Sequence, residues 1–584
     1  MIRPLDNACR SSRDLSGVWH IAFDPDENGE AQGWHQGLAR ESALPIAIPG
    51  SWNEQLAEAG YMNYVGSAWL EVRFWLPPLA PGDEAVLRFG SVDYHADVWI
   101  NGQPAGRSGA AMLPFEVPLD GLADPGSEVT LVVRVSNLLP VDGPTQRVTQ
   151  SDYITEGRYR DEYLPAVRFD FFPYGGINRP VHLVTRPRAG LRDYRLTIDT
   201  ETIKVHCALH EGQRLVASLS GFGGTWRGEA EGPDAAVRLA PDPARLWSPE
   251  EPNLYTLQLD VHAADATLID RVTQRVGLRS FAVDGTQVLL NGAPYTLQGF
   301  GKHEDSPIHG RGLNPPQMIK DFRLLKWCGA NSVRTSHYPY AEEFLDLADE
   351  LGLLVIDEVF SINLDFRKVN AATLAAHKQA VAELIARDVN RTCVIAWSLS
   401  NEPGYLAESD YRTHSPAYWR ELFGHARSLD PSRPLTHANV GYAGNDDPAF
   451  AEADLLMINR YHGWYSEPAQ LDRAVARLNA DFDAIAAHGK PILVAEFGAD
   501  ALAGQHASYD QLFTEEYQAR FIRAYWQAIT AHPAVVGGHI WAFADFRTAQ
   551  HGRRVVHNLK GVFTRTREPK MAAWAVRELW CDEG

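Results

Sequence analysis

The sequence predicts two β-sandwiches followed by a (β/α)8 barrel. Three observations predict it. Apolar residues in the first half recur at every second position between Gly/Pro turns. After about residue 282, apolar strands alternate with helical stripes instead. A chain of 584 residues also has room for about three to five domains.

Taken in order, Tyr94, Ala96, Val98 and Ile100 alternate with mostly polar neighbours, and Asn101-Gly102 supplies a hairpin turn. The same period runs through Val129, Leu131, Val133 and Val135, and through Tyr255, Leu257, Leu259 and Val261. Turn formers such as Pro81-Gly82-Asp83 and Asp124-Pro125-Gly126 punctuate these runs. The polar stretch Arg186-Pro187-Arg188-Ala189-Gly190 marks the first boundary. Sandwiches are therefore expected at 1–187 and 188–281, and the barrel at 282–584. Barrel strands are expected at 295–304, 331–337, 354–359, 394–400, 435–440, 455–461, 492–497 and 535–543. Helical stripes between them include Met318, Ile319, Phe322 and Leu325, and then Phe344, Leu347, Ala348 and Leu351. Eight strands in roughly 300 residues match the size of a (β/α)8 barrel. A doubly wound sheet would need a Gly-rich turn opening a helix, and the sequence has none here.

Charge narrows the function. Lys plus Arg number 54 and Asp plus Glu 74, a formal charge of −20. That balance argues against nucleic acid and anionic membranes, which need a basic face. Cys9, Cys207, Cys328, Cys393 and Cys581 are scattered, odd in number and without a C-x-x-C pair. Neither a disulfide framework nor a zinc ribbon is expected, and the reading is a cytoplasmic protein with reduced thiols. Arg3, Asp6, Asn7 and Arg10 stand where a signal peptide would be apolar.

In such barrels the chemistry sits at strand C-terminal ends. There the sequence places His303, Glu304 and Asp305, then His337 and Tyr338, Asp357 and Glu358, Asn401 and Glu402, Asn459 with Tyr461 and His462, Glu496, and Trp541. Glu402 and Glu496 close strands four and seven, so both carboxylates are expected in one mouth. A separation of about 5–5.5 Å would suit a retaining glycosidase. A metal site is not expected, because there is no H-E-x-x-H helix and Lys302 and Arg334 would oppose a cation.

Asn401-Glu402-Pro403, Glu496-Phe497-Gly498 and Arg334-Thr335-Ser336-His337-Tyr338-Pro339 together resemble glycoside hydrolase family 2, closest to its β-glucuronidases. Asp170-Phe171-Phe172, Leu246-Trp247-Ser248-Pro249 and Asn459-Arg460-Tyr461 extend the resemblance over nearly the whole chain. It implies a jelly-roll-like sugar-binding sandwich, an immunoglobulin-like sandwich and a TIM barrel.

The resemblance also implies roles. Glu402 is the expected acid/base, Glu496 the nucleophile, and Asn401 the partner of the sugar 2-hydroxyl. Tyr461 is expected to donate to Glu496. His337, Asn459, Tyr465 and Trp541 would line the sugar site, while His462 has no assigned role. Arg553-Arg554-Val555-Val556-His557-Asn558-Leu559-Lys560 follows strand eight, and Asn558 with Lys560 resembles a carboxylate-reading N-x-K element. With Arg554 this suits a uronic acid, because a cation and directional donors grip a carboxylate. Asp170 is expected to reach hydroxyls opposite that carboxylate. The activity implied is a cofactor-free, retaining exo-β-glucuronidase acting on a uronic-acid glycoside, with no metal, in a homo-oligomer. A β-galacturonidase differs only at the sugar's 4-hydroxyl and stays open; a neutral β-galactosidase or a non-catalytic carbohydrate-binding protein fits less well. Only residues 359–370 separate Glu358 from the next helix. Some gut bacterial members carry a longer loop there, so this short-loop form is expected to leave the aglycone side open.

Overall fold

The computed structural model describes residues 1–146, 167, 169–404, 408–549 and 554–581. Arg553 of the basic loop lies outside the described residues.

The first half folds as the alternation dictates. Strand Ser127–Ser136 turns Val129, Leu131, Val133 and Val135 inward, and lies between strands Ser67–Leu76 and His95–Ile100 in a six-stranded antiparallel sheet. A four-stranded sheet built on Asp83–Phe89 and Val181–Pro187 faces it, and side chains from both sheets form one core. Asn101 and Gly102 take φ of 51° and 78°, the left-handed pair that a two-residue hairpin needs. The second sandwich packs a three-stranded against a four-stranded sheet, and Tyr255, Leu257, Leu259 and Val261 point into its core. Trp247, fully buried, ties it to the barrel by donating from Nε1 to the Asp349 carbonyl at 2.8 Å.

Eight parallel strands then close the barrel: Leu297–Gly301, Ser332–Arg334, Leu354–Glu358, Val394–Asn401, Leu435–Val440, Leu456–Asn459, Ile492–Phe497 and Val535–Trp541. Every expected strand is present, several shorter than expected. The second ends at Arg334, which leaves His337 and Tyr338 in the loop beyond it. Two helical stripes need correction. Ile319 is 45% exposed and Leu351 40%. On helix Pro315–Trp327 the inward place goes to Asp321, which pairs with Arg567 at 2.8 Å and Lys302 at 3.1 Å; a polar group is buried only when so satisfied. Leu351 ends helix Glu342–Leu351, just before Gly352 turns the chain at φ 74°.

The short segment after the third strand is fastened to the first domain. Thr145 Oγ1 donates to the Phe360 carbonyl at 3.0 Å, and Asn370 Nδ2 donates to Asp142 at 2.9 Å. Asn370 also caps helix Ala371–Asp388. Among the described residues no helix is long and apolar enough to cross a membrane.

Gly498, just past the seventh strand, has no room for a side chain: a Cβ would lie 2.0 Å from the Trp541 carbonyl oxygen. Gly498→Ala is therefore expected to wedge the seventh and eighth strand ends apart. A loss of about 1–3 kcal/mol should follow, read as a lower unfolding midpoint. Gly424→Ala, in the exposed interior of helix Glu408–Leu429 where a Cβ meets nothing within 4 Å, should instead raise the midpoint slightly, by the helix gain of about 0.5–1 kcal/mol for alanine over glycine.

Candidate active site

Arg334 ends the second strand and is completely buried at the barrel mouth. Its Nε donates to Glu358 at 2.9 Å, Nη1 to Glu496 Oε1 at 3.0 Å, and Nη2 to Asn401 Oδ1 at 2.8 Å. One guanidinium thus ties strand two to strands three, four and seven. Its fixed fork of donors is what makes such a tie possible.

The surrounding charges follow from it. Burial opposes the ionisation of Glu358, but Arg334 and His337 outweigh it and hold the carboxyl down at about 2. Ser398 Oγ adds a bond to Glu358 at 2.6 Å. Burial lowers His337 to about 4, so the ring is neutral near neutral pH. His337 Nδ1 lies 2.9 Å from both Glu358 Oε1 and Arg334 Nη2, which sets the ring against this ion pair, and its Nε2 lies 3.8 Å from Glu496.

Glu496 and Glu402 have different donors. Glu496 accepts from Arg334 and, at 2.7 Å, from Tyr461 Oη, the bond expected from sequence. Glu402 accepts from Asn459 Nδ2 at 2.9 Å, and its backbone φ of 47° is unusual for a non-glycine residue. Bonds from Glu402 N to the Ala438 carbonyl and from Asn401 N to the Ser361 carbonyl hold that turn. Burial raises both carboxyls, Glu496 to about 8. Two buried acids at one mouth then titrate as a pair that keeps a proton near neutrality. The donors allocate it: a cation and a phenol stabilise the anion on Glu496, whereas among the described residues Glu402 has a neutral amide. Asn401 spends its amide oxygen on Arg334 and Asn459, which leaves Nδ2 as its donor.

Aromatic rings wall the mouth. Trp541 stacks on His337 with centroids 4.9 Å apart, and His303 meets Trp541 edge-on at 5.3 Å. Tyr461 abuts Tyr465 at 5.2 Å, and the Tyr465 hydroxyl accepts from Lys560 Nζ and Arg554 Nη2 at 3.1 Å each. The basic loop therefore joins the carboxylate pair through these two tyrosines.

That loop is a buried corner. Asn558 and Lys560 are essentially inaccessible. Lys560 Nζ donates to Asp500 at 2.6 Å and lies 5.1 Å above the Trp464 ring. Asp500 also accepts from Leu559 N at 2.8 Å, and burial notwithstanding, Lys560 and Arg554 hold its carboxyl below the ordinary value. Beneath, Lys570 Nζ donates to the Leu559 carbonyl at 3.0 Å and Asp545 at 2.8 Å, while Gln518 Nε2 donates to the Lys560 carbonyl at 3.2 Å. The corner's backbone is fixed from below.

Asp170 requires a correction. Rather than standing across the site from the cationic loop, it sits on it. Arg554 Nε and Nη2 donate to its two oxygens at 2.9 and 2.5 Å, and Asn558 Nδ2 donates to it at 2.6 Å. The nearest matched donors win: a fork and an amide meet the carboxylate's planar geometry. His462 is settled too, since its Nε2 bonds Asp481 at 2.9 Å beside Arg460, making it part of the loop's scaffold.

Sequence reasoning missed Arg334 as the hub and Asp500 altogether. Asp500 lies four residues past Glu496, at the mouth and opposite a basic loop. That charge complement was the available signal. Among the described residues no group of three or more His, Cys, Asp or Glu side chains is arranged to hold a metal ion.

Comparisons with known proteins agree with this architecture. Residues 12–187 match the sugar binding domain of glycosyl hydrolases family 2, residues 198–279 match a further domain of that family, and residues 281–582 match its TIM barrel domain. A β-glucuronidase of Paenibacillus borealis is 36% identical over 605 residues, covering 100% of this chain and 99% of that protein. A β-glucuronidase of Homo sapiens is 33% identical, covering 99% of this chain and 92% of that protein. The structure of a Ruminococcus gnavus β-glucuronidase in complex with D-glucuronic acid superposes with a TM-score of 0.89 at 32% identity, covering 99% of both chains.

Removing the hub has a calculable sign. Glu358 is held below its ordinary 4.5, so its stabilisation is complete above that value and lost as pH falls toward about 2. Arg334→Met strands Glu358 and Glu496 in a buried site, a loss of about 3–5 kcal/mol near pH 7. Thermal unfolding should show the deficit narrowing as pH is lowered from about 4.5 toward 2, the range over which the wild type loses the stabilisation of Glu358. A deficit independent of pH would contradict the hub.

Proposed function

Because the chain belongs to glycosyl hydrolase family 2 and is a glycoside hydrolase, we propose that it is a retaining exo-β-glucuronidase acting by double displacement. The observation that carries this is the junction of two groups of side chains. An acid pair with unequal donors lies against a buried corner of Arg554, Asn558 and Lys560, joined through Tyr461 and Tyr465.

The steps follow from the charges. The sugar's C6 carboxylate enters the corner, where ammonium, guanidinium and amide donors match it. Glu402 gives its proton to the leaving oxygen while Glu496, ionised by Arg334 and Tyr461, attacks the anomeric carbon. The C–O bond to the aglycone breaks and a glycosyl ester forms on Glu496. That esterification removes the negative charge beside Glu402, whose carboxylate then takes a proton from water. The hydroxide attacks the anomeric carbon, Glu496 leaves as carboxylate, and the β-anomer is released. Asn401, through Nδ2, is placed for the 2-hydroxyl, a contact that strengthens as the ring gains positive charge. Trp541 and His337 form the wall against which the sugar packs.

Parallel assays of β-glucuronide, β-galacturonide and β-galactoside with one leaving group test the substrate class. The glucuronide should lead, and Lys560→Ala should lower its kcat/KM selectively, by about 2 kcal/mol or more for a lost charged hydrogen bond. Equal losses on the neutral galactoside would remove the uronide reading. Glu402→Ala and Glu496→Ala should each lower kcat by at least roughly a thousandfold.

The pH profile offers a separate check on the acid pair. Activity should fall on the alkaline side as the pair, whose carboxyls burial raises, sheds the proton that Glu402 carries. Tyr461→Phe deletes a donor to the anion, so the acidic limb should shift to higher pH. An unmoved limb would show that Tyr461 does not hold the nucleophile's charge.

A further inference from the structure

Lys570 stands where local rules give no reason for a lysine. It occupies the position that opens helix Met571–Trp580 and makes no side-chain cap there. Such positions favour short oxygen-bearing side chains, and the positive end of a helix repels a cation. The side chain is only 1% exposed, which adds a cost of desolvation. Its ion pair with Asp545 does not account for it, since burial still pushes that carboxyl up to about 7 despite Lys570. Two other bonds do.

Lys570 Nζ donates to the Leu559 carbonyl at 3.0 Å and to the Ala501 carbonyl at 2.8 Å, as well as to Asp545 at 2.8 Å. All three of its hydrogens are engaged, so it has no donor left for a sugar. The Leu559 carbonyl belongs to the peptide that joins Leu559 to Lys560, and a peptide is planar. On the opposite edge of that plane, Lys560 N donates to Asn558 Oδ1 at 3.0 Å. Fixing the plane therefore fixes the Asn558 amide, with Nδ2 as the end that faces the corner. Lys560 leaves the same plane, and its Nζ meets Asp500 at 2.6 Å. Asp500 is referred to the same place: Leu559 N donates to its Oδ1 at 2.8 Å, and Ala501 N donates to the Leu559 carbonyl at 3.0 Å. One buried ammonium thus bridges the two backbones that present the amide, the lysine and that lysine's counter-ion. Hydrogen bonds in a chain polarise one another, so a charged donor on the carbonyl also strengthens the N–H on the far edge.

On the uronide reading above, we propose that Lys570 is a positioning residue for the sugar's C6 carboxylate: without touching the substrate, it sets the plane of the 559–560 peptide and so aims Asn558 and Lys560 at that carboxylate. Selectivity for uronides then depends on a residue beneath the site, at the start of the last helix. A neutral hexoside has a hydroxyl at C6 and draws far less on the aim of these donors.

Kinetics on a β-glucuronide and a β-glucoside with the same leaving group test this, for the wild type, Lys570→Met and Lys570→Gln, with unfolding midpoints measured alongside. Lys570→Met removes every donor. Its KM for the glucuronide should rise roughly tenfold, the scale of one hydrogen bond to a charged group. Its kcat should change little, because the corner grips ground state and transition state alike. The ratio of kcat/KM for glucuronide over glucoside should fall by the same factor. Lys570→Gln keeps two amide donors on a shorter stem and should lose a smaller part of the ratio. A folded variant that keeps the wild-type ratio, a loss in Lys570→Gln as large as in Lys570→Met, or loss of the fold in both variants overturns the positioning role. Each of these leaves the uronide reading standing where the wild type prefers the glucuronide. A wild type with no such preference overturns both.

Discussion

A single buried guanidinium decides what the barrel mouth can do. Arg334 reaches Glu358, Asn401 and Glu496, so three of the other strands end where its donors are. A buried cation without partners would be intolerable, and buried carboxylates without a cation would be neutral acids. Each therefore requires the other. The geometry that sets Glu496 in place is also what lets it exist as an anion, and the Tyr461 bond adds to both. Precise position and correct charge come from the same contacts.

The carboxylate corner repeats the principle with a different balance. There the cations are neutralised within the free protein, by Asp500 from below and Asp170 from the neighbouring domain. Lys570, Asp545 and Gln518 hold the loop's backbone, so the cations cannot follow a poor ligand outward.

Periodicity made the strands legible, because burial on one face or both leaves a direct trace in the spacing of apolar residues. The ends of strands four and seven were legible for the same reason: Glu496 follows the unbroken apolar run 492–495, and Glu402 closes a strand that opens on the apolar run 394–397. Side-chain partnership across the chain was not. Asp170 and Arg554 are 384 residues apart, and nothing local to either predicts their bond. Arg334 could be read as a basic neighbour, but its role arises only once four strand ends meet. Ile319 and Asp321 exchanged places for a similar reason, since Asp321 is buried by partners on distant segments, Lys302 and Arg567. Sequence patterns report the solvent that each residue avoids; they do not report which charge it finds.

The two acids show how little is needed to separate equivalent side chains into different roles. Both are glutamates at strand ends, and burial pushes both toward the neutral form. What differs is the identity of three donors. With Arg334 and Tyr461 on one carboxyl and Asn459 on the other, the proton has a preferred seat before any substrate arrives. Exchanging those donors would exchange the roles, with no change in the acids themselves. The seat of the proton therefore depends on the end of strand two and on the end of strand six with its following loop as much as on the two glutamates themselves.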